Sequence, residues 1–377
     1  MPKLRISVVQ YLNTAPLVWG FTHGLLAGKY DLSFTVPSQC AEQLRAGDVD
    51  IAIIPAIEYQ RIDDLVILPD LAIASKRRVR SLLLISKVPL AEARSIALDR
   101  SSRSTQALTK ILCARHWQIA PQFQEMAPDL AAMLAANDAA LLIGDPALRV
   151  SLAIESAQSS NPTPSDQSAS PARLGSAGVP AGDFSSMSVP SLSDRTAENR
   201  SGSFRGAPQQ SAAPPEICTA ATLGLPGAET LYVYDIVEQW RCMTNLSAVL
   251  AVWAARPSVA TPDVVADFHA SRAFGLLHLH ELCDASSAQL RLPAPALHSY
   301  LTDNIDFTLD PENIAALTRF FVEASALNLT PPAKPVLLAP GPKSLVLEPA
   351  PIASLRGSLN GPAFDVLYEE RKRNREL

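Results

Sequence analysis

Apolar residues in the first half of the chain fall into short blocks separated by stretches of helical period, and the arrangement occurs twice. Leu4–Val9 reads as a strand, and the loop through Asn13 leads into a helix opened by Pro16. A strand near Leu32–Val36 follows. The next helix runs from Ser38, as N-cap, to Ala46, where Gly47 stops it. Ile51–Ile54 closes the first round on Pro55-Ala56. The second round opens with the strand Ser95–Leu98 and passes through Asp99-Arg-Ser-Ser-Arg-Ser104 into a helix with Leu108, Ile111 and Leu112 on one face. A strand at Gln122–Met126, a helix over Asp129–Ala136 and a strand at Ala139–Ile143 complete it, ending in Gly144-Asp-Pro-Ala147. Two βαβαβ-like units in succession predict an α/β fold of two lobes. In such folds a ligand sits beyond the carboxyl ends of the strands, facing a crevice, so the cleft between the lobes is the expected site.

The remainder divides the chain further. Residues 155–215 are dense in Ser, Pro, Gly, Ala and Gln without lasting periodicity, a composition that cannot bury enough apolar surface to offset its ordering entropy. They read as a disordered insertion. The fold resumes at Leu231–Gln239, and Ala248–Ala255 is a strongly apolar strand, a return crossing between lobes paired in role with Ser81–Ser86. From Pro262 the pattern is helical, and Asp310-Pro-Glu starts a helix that buries Leu317, Phe320, Phe321 and Ala324. The expected organisation is therefore lobe I over 1–88, lobe II over 89–250 with the insertion inside it, and a lobe I return with C-terminal helices over 251–328. A Pro-rich, charged tail occupies 329–377.

Bulk properties narrow the function. A length of 377 residues with 47% hydrophobic residues supplies cores for two lobes. A net charge of −5 gives no footprint for nucleic acid or an anionic membrane. No secretory signal and no membrane-spanning apolar run is visible. The 5 cysteines are scattered and odd in number, which fits reduced thiols and a cytoplasmic location. His278-Leu-His280 with Cys283 lacks a second ligand cluster of zinc-site spacing, so no metal is expected. Gly-x-Gly-x-x-Gly, P-loop, Gly-x-Ser-x-Gly and His-Glu-x-x-His motifs are missing, so no cofactor is expected either.

What is left suits a small organic acid. Ser101, Ser102, Arg103 and Thr105 lie between a strand and a helix start, where backbone N–H groups and the positive dipole end favour an anion. Arg103 could hold a carboxylate bidentately. The same residues also describe an ordinary capped helix with solvated arginines. Asn13, just past the first strand, can face the cleft or serve a turn. Ser81 at the mouth of the crossing strand contacts a ligand or satisfies backbone groups. Asp145 binds a hydroxyl or shapes the turn before Pro146.

Taken in order, several segments resemble the chorismate dehydratases of the futalosine route to menaquinone. They are Tyr11-Leu-Asn-Thr-Ala-Pro-Leu17, Pro37-Ser-Gln-Cys-Ala41, the run Leu44 to Tyr59, Val79-Arg-Ser81, Ser101-Ser-Arg-Ser-Thr105, Gly144-Asp-Pro-Ala-Leu148, Ala251-Val-Trp253 and Tyr300-Leu-Thr-Asp-Asn-Ile-Asp306. The likeness covers roughly 1–150 and 230–328. It implies a fold similar to type II periplasmic solute-binding proteins, used in the cytoplasm to convert chorismate into 3-[(1-carboxyvinyl)oxy]benzoate. It also implies that Asn13 stands next to the reacting ring, with Ser81, Ser102, Arg103 and Thr105 as carboxylate anchors. A substrate carboxylate would take the proton. Ala56 replaces a Ser common in that family. The alternatives are a later enzyme acting on a cyclised futalosine derivative and a non-catalytic binding protein for an organic acid. The oligomeric state is not readable.

Overall fold

Eleven strands and eleven α-helices make up the part of the chain that the computed structural model describes, residues 3–160 and 212–341. Most of the expected insertion, and the tail beyond 341, lie outside the described residues.

The first round is as patterned. β1 (Arg5–Val9), α1 (Ala15–Thr22), β2 (Asp31–Thr35), α2 (Pro37–Ala46), β3 (Ile51–Pro55) and the short α3 (Glu58–Arg61) follow one another, and then comes β4 (Val66–Ser75). β5 (Leu82–Ser86) leads to the second round, which is β6 (Ser95–Asp99), α4 (Arg103–Leu112), β7 (Gln122–Met126), α5 (Leu130–Ala136), β8 (Ala139–Ile143) and α6 (Gly144–Ser160). After residue 212 come β9 (Glu216–Thr219), β10 (Thr230–Asp235), α7 (Ile236–Thr244) and β11 (Ala248–Ala255). The last helices are α8 (Pro262–Leu277), α9 (Leu279–Leu290), α10 (Ala294–Ser299) and α11 (Pro311–Ala326).

The strands form two mixed sheets, ordered β2-β1-β3-β11-β4 and β7-β6-β8-β5-β10-β9. In the first, β1 pairs in parallel with β2 and β3, and β11 runs antiparallel between β3 and β4. In the second, β6 pairs in parallel with β7 and β8, and β5 runs antiparallel between β8 and β10. Every residue of β3, β5, β8 and β11 is buried, which is why these strands read as unbroken apolar runs. β2 and β7 lie at sheet edges and keep exposed polar positions, as edge strands do.

Several details depart from the sequence reading. β4 was not foreseen, because Pro69-Asp70 interrupts it; Asp70 adopts φ 56°, and the pairing with β11 shifts register twice. The cap of α2 is Val36 rather than Ser38, since Pro37 takes the first helical position. This frees the Ser38 N–H to donate to the Ser101 carbonyl at 3.1 Å. Gly47 does end that helix, at φ 79°. β5 already belongs to the second sheet, so the crossing occurs at 76–81. Where the fold resumes, Leu231–Gln239 is strand only as far as Asp235, whose carboxylate caps α7 by accepting from Val237 and Glu238. The insertion was placed to begin at 155, but α6 continues through Ser160. Residues 329–341 pack on the body. The Ile67 N–H donates to the Leu337 carbonyl, and the Ala339 N–H to the Ile67 carbonyl, both at 2.8 Å.

Asp235 also ties down the crossing. Its second oxygen accepts from the N–H groups of Val79 at 3.0 Å and Arg80 at 2.6 Å. Arg80 sits at φ 65°, a conformation that a non-glycine residue holds only when its surroundings over-determine it. Ser81, the next residue, is thereby set in place.

Candidate functional site

The carboxyl ends of β1 and β3 face those of β6 and β8 across a cleft that opens to solvent. Its lining combines apolar walls from Val9, Ile73, Leu82, Ile143 and Leu250 with polar groups of Tyr11, Asn13, Ser102 and Thr105.

Asn13 is brought there by a 3₁₀ turn (Leu12–Thr14) between β1 and α1. Its side chain is 8% exposed, and its Oδ1 accepts from the Thr14 hydroxyl at 3.5 Å. Across the cleft, Ser102 is the N-cap of α4, where its Oγ accepts from the Thr105 N–H. The Ser102 hydroxyl also donates to Thr105 Oγ1 at 2.8 Å. Three helices, α2 at Pro37, α4 at Ser102 and α6 at Gly144, start at the cleft wall. Their partial positive ends make an electropositive lining from neutral groups. None of the described lining residues is charged.

The other expected residues surround this lining. Ser81 is fully buried, and its Oγ accepts the Tyr300 phenol proton at 2.8 Å. Ser101 donates to Asp99 Oδ1 at 2.6 Å and shares a 3.3 Å hydrogen bond with the Tyr11 hydroxyl. Burial raises the Asp99 carboxyl above the ordinary carboxylate range, with the bonds from Ser101 acting against it. Asp145 opens α6 and accepts the Leu12 N–H at 3.1 Å, joining the two walls; burial raises its carboxyl too.

Arg103 lies apart from the cleft lining. Its guanidinium pairs with Glu42 at 2.5 Å and Glu58 at 3.1 Å. Glu58 is completely buried and also pairs with Arg45 and with Arg61, the latter at 2.8 Å, so the ionic demand of this carboxylate holds Arg103. The structure thus gathers Asn13, Ser102 and Thr105 on one cavity. Ser81, Ser101 and Asp145 lie behind it and Arg103 outside.

Two members were missed from the sequence. Tyr11 lines the cleft with its ring against Gly144, and Tyr300 is buried behind Ser81. Both fall inside segments singled out earlier, but only the three-dimensional fold shows their contacts. Among the described residues, no group of three or more His, Cys, Asp or Glu converges to hold a metal ion. Among them, too, no helix is long and apolar enough to cross a membrane.

A profile described as menaquinone biosynthesis matches residues 4–160 and 222–326. Over 328 residues the chain is 25% identical to a protein of Thermus thermophilus named chorismate dehydratase, covering 86% of this chain and 96% of that one. Among solved structures, protein AF1704 of Archaeoglobus fulgidus aligns with a TM-score of 0.57 at 15% identity, over 87% of this chain and 98% of that one. The alkanesulfonate-binding protein of Xanthomonas axonopodis, bound to MOPS, aligns with a TM-score of 0.51 at 14% identity, over 89% and 96%. The fold is that of the two-lobed, periplasmic-binding-protein-like α/β proteins.

Proposed function

Since this chain belongs to the menaquinone biosynthesis family, we propose that its cleft is the active site of a carbon–oxygen hydro-lyase that converts chorismate into 3-[(1-carboxyvinyl)oxy]benzoate and water. The observation that carries this reading is the placement of Asn13 on one wall, facing the capped start of α4 with Ser102 and Thr105 on the other. A dicarboxylate suits such a lining, because helix starts and hydroxyls offer hydrogen bonds to anions without a fixed counter-charge.

The chemistry is a syn- or anti-elimination in which one ring C–H bond and the neighbouring C–O bond break. The proton and hydroxide leave as water, and the ring becomes aromatic. The ring carboxylate is conjugated to the carbon that loses its proton, so negative charge spreads toward it as the bond breaks. Orientation and stabilisation of that charge are the tasks left to the protein. We assign the stabilising contact to the Asn13 amide. Ser102 and Thr105 take one carboxylate, and Ser81, with Ser101 and Asp145 as supporting groups, shapes the remainder. The substrate's own second carboxylate takes the proton, since no carboxylate is among the described residues that line the cleft. Arg103 stays in its ion pairs. A biosynthetic enzyme of this kind works in the cytoplasm.

The test is Asn13→Ala. Turnover of chorismate should fall by about 100-fold or more, the loss typical of a removed charge-stabilising donor. Affinity for the product should change only a few-fold. An unchanged rate would remove Asn13 from the mechanism.

A further inference from the structure

Tyr11 lines the cleft together with Asn13. It caps the 3₁₀ turn that carries Asn13, and its carbonyl accepts the Thr14 N–H at 3.0 Å. Its ring lies on Gly144, and its hydroxyl meets Ser101 Oγ at 3.3 Å. The residue is therefore held at both ends, and its phenol oxygen has a fixed place.

Proton counting along the chain of hydrogen bonds decides what that oxygen offers to a ligand. Ser101 has one hydroxyl proton, and it goes to Asp99 Oδ1 at 2.6 Å. The Ser101 N–H donates to the same oxygen at 2.9 Å, so Oδ1 is the accepting end. Asp99 is fully buried, and its Oδ2 has no hydrogen-bond partner among the described residues. A proton bound at Oδ2 would leave the pattern intact. Toward Tyr11, then, Ser101 can only accept, and the single phenol proton is spent on it. The phenol oxygen keeps lone pairs alone for a ligand.

An acceptor in this position sorts the groups of the substrate. The two carboxylates and the ether oxygen of chorismate only accept, and its one O–H donor is the ring hydroxyl that leaves. A carboxylate beside the phenol oxygen would meet a lone pair, whereas the hydroxyl would find a partner. We propose that Tyr11 is the specificity-determining residue for the leaving hydroxyl, its phenol oxygen accepting the hydroxyl proton and so setting the orientation of the ring in the cleft. The inference rests on the dehydratase reading and deepens it by giving the one substrate donor a partner. Donating to Tyr11 also leaves the lone pairs of the departing oxygen free. That oxygen keeps its own hydrogen and takes the second from the substrate carboxylate that removed the ring proton, so water forms without a proton from the protein.

The experiment measures steady-state kinetics with chorismate, inhibition by 3-[(1-carboxyvinyl)oxy]benzoate and melting temperature in wild type, Tyr11→Phe and Ser101→Ala. The product keeps both carboxylates and the ether but has no hydroxyl, so it lacks only the contact assigned to Tyr11. In Tyr11→Phe the KM for chorismate should rise by about five- to tenfold, as for one lost neutral hydrogen bond, while the Ki of the product stays within about twofold. Ser101→Ala keeps the phenol but frees its proton, and the ratio of KM to Ki should rise there too. An unchanged ratio in Tyr11→Phe overturns the proposal, because substrate and product would then depend on Tyr11 alike. An unchanged ratio in Ser101→Ala overturns it as well, since the direction of the phenol proton would not matter. A loss of fold, visible in the melting temperature, weakens both ligands together and does not imitate the expected result. Wild-type protein that leaves chorismate intact removes the dehydratase reading itself, and the inference with it.

Discussion

The ring of Tyr11 packs directly against Gly144, so that a Cβ at Gly144 would stand 2.8 Å from the ring. Tyr11 follows β1 in the first sheet and Gly144 follows β8 in the second, so the contact closes one side of the cleft. Gly144 also holds φ 62°. Gly144→Ala therefore meets two obstacles: a left-handed backbone, costing about 1–2 kcal/mol, and displacement of an aromatic ring that lines the site. The expected result is a KM for chorismate raised on the order of tenfold or more, since displacements of about 1 Å are felt that strongly. Steady-state kinetics beside a melting curve check it, and a KM equal to wild type would mean that Tyr11 does not shape the bound state.

Ser102 has two tasks that one substitution separates. As the N-cap of α4 it bonds to the Thr105 N–H, and Ser102→Ala should lower stability by about 1 kcal/mol. Ser102→Gly should cost only a few tenths on the same scale. If the hydroxyl also binds a carboxylate, both variants should lose about tenfold or more in affinity for the product, as hydrogen bonds to charged groups do. Denaturant unfolding and calorimetric titration separate the two effects. Loss of stability with undiminished affinity would confine Ser102 to capping.

The ion-pair cluster around Glu58 gives an asymmetric prediction. Glu58 is fully buried among Arg45, Arg61 and Arg103. Glu58→Gln leaves three guanidinium groups short of their common partner and should destabilise the protein by about 3 kcal/mol. Arg103→Met leaves Glu58 with two partners and should cost clearly less. Because Arg103 faces Glu42 and Glu58, its removal should change KM by less than threefold. A tenfold rise would show that the guanidinium turns to the substrate.

Asp138 lies where the chain enters β8 and accepts from the N–H groups of Arg94 at 2.8 Å and Ser95 at 3.1 Å. The bond from the Arg94 backbone holds its carboxyl below the ordinary carboxylate range, with those from Ser95 adding to it. A carboxyl whose folded pKa is depressed stabilises the fold above its unfolded pKa and loses that contribution as pH falls through the folded one. Urea midpoints should thus hold steady down to the unfolded carboxylate range near pH ~4 and decline below it. Asp138→Asn should lower the plateau and soften the decline. A variant with an unaltered pH profile would show that the contact contributes nothing.

How much of this was legible beforehand follows from where each partner lies along the chain. β3, β5, β8 and β11 showed themselves as apolar runs because both faces are covered. β4 hid behind Pro69-Asp70, whose backbone breaks the pattern that a strand needs. Asn13, Ser102 and Thr105 were readable because local rules put small polar residues at strand exits and helix caps. The ion pairs of Arg103 were not, since Glu58 and Glu42 lie 45 and 61 residues away. Tyr300 lies 219 residues from Ser81, a contact that only the completed fold makes.

The central claim is best tested by mixing the purified protein with chorismate, following the ultraviolet spectrum and identifying the product by mass. The account predicts loss of one water and appearance of 3-[(1-carboxyvinyl)oxy]benzoate at a rate proportional to protein. Chorismate that binds and is recovered unchanged would contradict it, leaving a binding protein in place of an enzyme.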